Sequence, residues 1–136
     1  MTVVRRFLSG IALCLSGILA THQGSAQVPI PSAPPGARFL LQNEGPVPGY
    51  VTILLEFTLE PNAVVGEHSH PGIHGVYLIE GGGELVMGNQ KPRRIGAGEA
   101  VQFGVGNLHS FKNGPTPTRG IATYVIEQGK PLVSAF

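Results

Sequence analysis

From Tyr50 to Glu60 apolar and polar side chains alternate, with Val51, Ile53, Leu55, Phe57 and Leu59 at the odd positions and Thr52, Glu56 and Thr58 between them. A period of two predicts a strand with one buried face. Leu54 breaks the alternation, so the second face is expected to be partly covered as well. Short apolar runs recur at residues 38–42, 63–70, 75–80, 84–87, 100–103 and 120–127, each closed by glycine or proline nearby. The Gly81-Gly82-Gly83 run predicts a tight turn, residues 88–94 a polar turn and residues 95–99 a glycine-marked corner. Residues 132–136 form an apolar tail expected to pack against the domain. No run carries a helical period. Roughly eight to ten short strands predict an all-β sandwich or small barrel.

The strand pattern carries an unusual set of histidines. His68, His70 and His74 fall close together, and His109 is the remaining one outside the first 26 residues. Residues two apart in a strand share a face, so His68 and His70 align. The even step to His74 keeps the parity, although Pro71-Gly72 predicts a bend before it. Glu67 and Ser69 have the opposite parity and are expected to face solvent. Imidazoles converging on one wall of a β-scaffold predict a metal site, with His109 as the fourth ligand. His74 has an alternative role as an acid–base or supporting group beside a three-histidine ion. No carboxylate stands out in the sequence as a base in direct contact with such an ion. Proton transfer is therefore expected to use metal-bound hydroxide, Tyr50, Tyr77, Tyr124 or a Glu brought in by the fold. Val76, Leu78, Phe103 and Phe111 are candidates for lining the pocket, a pattern that core packing also explains. Asn113 is expected to hold its turn.

These residues resemble the cupins, small jelly-roll barrels that carry a metal or ligand inside. The first motif of that family matches Gly66, His68-Ser69-His70 and Gly81, with His74 in the place of the usual Glu. The second matches Gly98, Gly106, His109 and Asn113, with Gly104 replacing the usual Pro. The Gly104 change is expected to loosen the turn. The His74 change alters the ligand set. The resemblance implies a cupin-type jelly-roll β-barrel holding one divalent transition metal ion through His68, His70, His74 and His109. Nitrogen donors suit Zn, Fe, Ni or Cu and do not exclude Mn. It also implies a metal-dependent enzyme on a small organic, anionic or enolisable substrate, of dioxygenase, isomerase or lyase type, with hydrolysis a further possibility. The alternative is a non-catalytic periplasmic cupin that binds a metal or small ligand. A homodimer is expected, since cupins commonly pair sheets.

Composition narrows the partners. Nine Lys and Arg face eight Asp and Glu, for a net charge of +1. Without Arg5 and Arg6 the balance is close to neutral, and no basic patch for nucleic acid is visible. Residues 1–26 read as a secretory signal peptide: Arg5-Arg6, an apolar stretch over 7–20, and small residues before a cleavage point after Ala26. That apolar stretch is too short to span a bilayer comfortably. The Arg-Arg-Phe-Leu run bears a faint likeness to a twin-arginine signal, so both export routes stay open. The product is expected to be periplasmic or secreted, and free of the membrane once the leader is removed. Cys14 is the one cysteine, so the processed chain would have no disulfide and no thiolate ligand. Residues 27–37 are expected to form a Pro-rich extended arm, and residues 38–136 the barrel domain.

Overall fold

The alternating stretch forms an inner strand of a two-sheet sandwich. A computed structural model describes residues 33–135; the expected leader, with Cys14 and His22, and most of the Pro-rich arm lie outside the described residues. In chain order the strands are β1 (Ala37–Glu44), β2 (Tyr50–Leu59), β3 (Val64–Ser69), β4 (Ile73–Glu80), β5 (Gly82–Met87), β6 (Arg93–Gly96), β7 (Ala100–Phe103), β8 (His109–Asn113), β9 (Thr118–Glu127) and β10 (Ser134–Ala135). Among the described residues there is no helix. One sheet has the order β1-β2-β9-β4-β7 and the other β10-β3-β8-β5-β6. All pairings are antiparallel.

The inward faces supply the core in two clusters. Val51, Ile53, Leu55, Tyr124, Ile126 and Leu132 pack together in the first. Leu78, Leu85, Ile95 and Phe103 form the second cluster. Each such aliphatic side chain contributes about 1.5–3 kcal/mol on burial. Leu54, on the outward face of β2, is half-buried opposite Leu41 and Thr123. On the same outward face Glu56 pairs with Arg38 at 2.8 Å and Arg119 at 3.2 Å, and Arg119 reaches Glu80 at 2.7 Å. Hydrogen bonds from Arg119 and Arg38 hold the Glu56 carboxyl below the usual carboxylate range.

Several local expectations change. The glycine run is a crossing between sheets, because β4 and β5 lie in opposite sheets and do not pair. Gly81 and Gly82 take φ values of 74° and 143° there, which a side chain would oppose. Thr118 Oγ1 accepts the Gly82 N–H at 2.7 Å. Residues 93–96, divided in the sequence between a turn and a corner, form β6 along β5. Ser69 is buried, because β10 pairs across it, with Ser134 opposite Ser69 and Ala135 opposite His68. The end of the Pro-rich arm packs on the domain: the Gly36 carbonyl accepts the Thr58 N–H at 2.8 Å. The Gly104 turn is tied, with Gly104 N–H donating to Asn107 Oδ1 at 2.8 Å and Asn107 N–H returning to the Gly104 carbonyl at 3.1 Å. A proline at 104 has no N–H for the first bond.

Candidate metal centre

Each histidine reaches the interior by a different route. His68 lies in β3 and pairs with His109 of β8, so both project from one sheet. A register shift between Val65 and His68 restores the inward direction of His68 after Gly66-Glu67. His70 follows the end of β3. Pro71-Gly72 then carries the chain across to the other sheet, and His74 enters the cavity from β4. His70, His74 and His109 are buried and His68 is half-buried.

The rings are oriented by backbone carbonyls. Nδ1–H donates to the Gly66 carbonyl in His68 (2.8 Å), to Leu132 in His70 (2.6 Å) and to Asn107 in His109 (2.9 Å). His74 makes a longer bond to the Thr123 carbonyl (3.3 Å). A carbonyl only accepts, so each neutral ring keeps its lone pair on Nε2. One ring nitrogen each from His68, His70 and His109 lies within 4.8 Å of the other two. His74 is outside that group of nitrogens, with its ring centroid 4.2 Å from that of His70 and 6.0 Å from that of His109. Tyr124 stacks on His74 at 4.2 Å and Phe103 on His109 at 3.7 Å.

Burial keeps His70, His74 and His109 neutral. Burial pushes His70 down to about 4, assisted by its neighbours His68 and His109 and opposed by its bond to Leu132. Burial pushes His74 down to about 3, with His70 adding to the effect. His109 is lowered for the same first reason. The residues suit a metal ion. His70 Nε2 is buried without a hydrogen-bond partner among the described residues, and converging lone pairs with no donor between them are costly unless a cation takes them up.

The cluster faces a cavity of about 260 Å³ between the sheets. Val76, Leu78, Phe103 and Phe111 line it, as do Tyr124 and, from the end of the arm, Pro34 and Pro35. Asn113 is turned away into the structure: its Nδ2 donates to the carbonyls of Leu59, Glu60 and Thr116, and its Oδ1 accepts from Thr118. The residues whose carbonyls orient the rings were not visible as site residues in the sequence. Only Gly66 and Asn107, which lie inside the first and second motifs, carried any signal.

The histidine geometry agrees with the comparison with known families. Residues 55–124, which is 70 of 136, match the model described as "Cupin domain". The chain belongs to the cupin domain family. No curated protein matches this cupin by sequence. Among solved structures it is similar to the DMSP lyase DddQ from Ruegeria pomeroyi DSS-3, with 18% identity and a TM-score of 0.55 over 61% of this chain and 42% of that one. The cupin thus spans less than half the length of that lyase. It is also similar to the polyketide cyclase RemF from Streptomyces resistomycificus, with 24% identity and a TM-score of 0.55 over 74% of this chain and 80% of that one. A conserved protein with a double-stranded β-helix domain from Klebsiella pneumoniae gives 20% identity and a TM-score of 0.57 over 84% and 90%. At these identities the likeness is one of fold.

Proposed function

We propose that this chain is an exported, periplasmic or secreted cupin that holds one divalent metal ion through histidines and works as a metal-dependent enzyme on a small organic substrate. The observation that carries the reading is the buried Nε2 of His70, without a hydrogen-bond partner among the described residues, set among the ring nitrogens of His68 and His109 at the wall of the cavity between the sheets. His68, His70 and His109 would hold the ion, and His74 is assigned as the fourth ligand. The ion, when bound, would supply Lewis-acid or redox chemistry to an anionic or enolisable group. Lyase and cyclase activities in the names of two structural neighbours support chemistry of lyase or isomerase type; a dioxygenase is the third member of this proposal.

The chain's own residues orient and enclose. The carbonyls of Gly66, Leu132 and Asn107 fix three rings with their lone pairs inward. Phe103 and Tyr124 back His109 and His74 with flat apolar faces. Burial keeps Tyr124 protonated, with its hydroxyl pushed up to about 12, so at neutral pH it offers a proton in a hydrogen bond.

The test is metal content. The full chain, expressed with its own leader and purified without a histidine tag from the exported fraction, is expected to carry about one metal per chain by elemental analysis, following the stoichiometry of a single-ion site. His70→Ala is expected to lose it. Water-proton relaxation of the manganese- or iron-loaded protein then separates the two uses of the site: exchangeable water supports catalysis, and a closed shell supports storage. A parent chain that takes up no metal even on reconstitution would overturn the proposal.

A further inference from the structure

The wall of the cavity is uniform in its chemistry. Leu55, Leu59, Val65, Leu85, Ile95 and Val101 line it beside the aromatic residues already named. Among the described residues no Asp, Glu, Lys or Arg reaches it. Its polar groups are the four imidazoles and one hydroxyl, on Tyr124. The ionic side chains Arg38, Glu56, Arg119 and Glu80 pair with one another instead of meeting the cavity.

From this we infer that the site selects a monoanionic ligand with a flat apolar body and one oxygen-donor head, of phenolate or enolate type, and discriminates against ligands with a second carboxylate remote from that head and against polyhydroxylated sugar acids. The inference rests on the metal-binding reading above, because the ion is the one counter-charge the cavity would contain. The imidazoles that would hold the ion add no charge of their own, so the ion is the one positive partner for an anionic head, and everything beyond the head meets an uncharged wall. A second carboxylate on the body would be buried against Val, Leu and Phe side chains with no cation to pair it, and an unpaired buried charge is strongly disfavoured. Sugar hydroxyls meet the same wall with one hydroxyl partner, Tyr124, and leave the rest of their hydrogen bonds unmade. A flat apolar body fits instead between Phe57, Phe103, Phe111 and Tyr124, where ring faces and edges pack offset. The volume, about 260 Å³, lies just below the roughly 300–1,000 Å³ range of drug-sized ligand sites, which keeps the ligand small.

The test compares tropolone, a flat monoanionic oxygen chelator, with terephthalate, whose second carboxylate is remote from the first, and galacturonate by titration calorimetry on the metal-reconstituted full chain, with metal content measured on the same sample. Tropolone is expected to bind at least about tenfold more tightly than either, a difference that one unpaired buried polar or charged group supplies. Phe111→Leu is expected to weaken tropolone severalfold without changing metal content, and Val76→Lys, which places a cation in the wall, to narrow the gap to terephthalate. Terephthalate or galacturonate binding as tightly as tropolone to the metal-loaded parent would overturn the inference and leave the metal site standing. If no metal is retained, the proposed function fails by itself. The preference of the wall for a flat apolar body over a polyhydroxylated one is then read on the metal-free chain with 2-naphthol against galacturonate, by naphthol fluorescence, where equal or absent binding overturns the inference.

Discussion

At the scale of single residues the site is a balance between burial and protonation. His70 and His74 are held neutral because the interior penalises their charged forms, and the bonds to Leu132 and Thr123 only partly offset this. The unfolded chain has no such penalty, so its imidazoles take up protons near the ordinary value of 6.5. Stability from these groups is therefore complete above that value and is lost as pH falls through about 4 for His70 and about 3 for His74. Urea midpoints of the metal-free protein are expected to be lower at about pH 5 than at about pH 7.5, and equal midpoints would contradict the linkage. Metal should be released over the same acid range, because each ligand must be neutral. His74 is tested by a pair of variants. His74→Ala is expected to weaken metal binding by about tenfold or more, while His74→Glu retains it, as loss and replacement of a ligand would do. An affinity for His74→Ala within about twofold of the parent would reduce the ligand set to three.

At the scale of elements the last strand and its approach matter more than their length suggests. The Leu132 side chain is buried in the core, its carbonyl orients His70, and β10 pairs along β3 at His68. Packing and orientation separate experimentally, because a side-chain substitution leaves the carbonyl in place. Leu132→Ala is expected to cost about 3 kcal/mol of stability, as for other buried leucines, and to keep metal affinity within about threefold. Truncation before Leu132 removes the carbonyl as well, and metal affinity is expected to fall at least about tenfold by competition with a chelator. Equal metal affinity in the truncated and parent chains would show that the tail has no part in orienting His70.

At the scale of the whole molecule the two sheets enclose an apolar interior and leave apolar side chains outside. Ile73 and Tyr77 of β4 are exposed on the outward face of the first sheet, next to Val125 and Ile121 of β9. This face is where we propose that two copies meet in a homodimer. Sedimentation should give twice the chain mass for the parent and the chain mass for Tyr77→Lys, which would bury an unpaired charge at such an interface. A monomeric parent would remove the proposal. The dimer and the metal site are independent in this arrangement, because alternate residues of β4 face opposite ways: His74, Val76 and Leu78 line the cavity while Ile73 and Tyr77 face out.

The sequence by itself determined most of the strands, though not β6, and the kind of site. Alternation over residues 50–60 marked β2 to within a residue, because a period of two is a local property of an extended chain with one buried face. The motif spacing around His68, His70 and His109 identified the cupin architecture and the residues that the fold brings together. Parity counting had no access to the register shift before His68 or to the crossing at Pro71-Gly72, which brings His74 in from the opposite sheet. Only the tertiary structure decided which carbonyl meets which ring. His70 and Leu132 are 62 positions apart, and a backbone carbonyl leaves no mark in residue identity. The uncharged wall was likewise set by the pairing of distant strands, which determines which side of each faces inward.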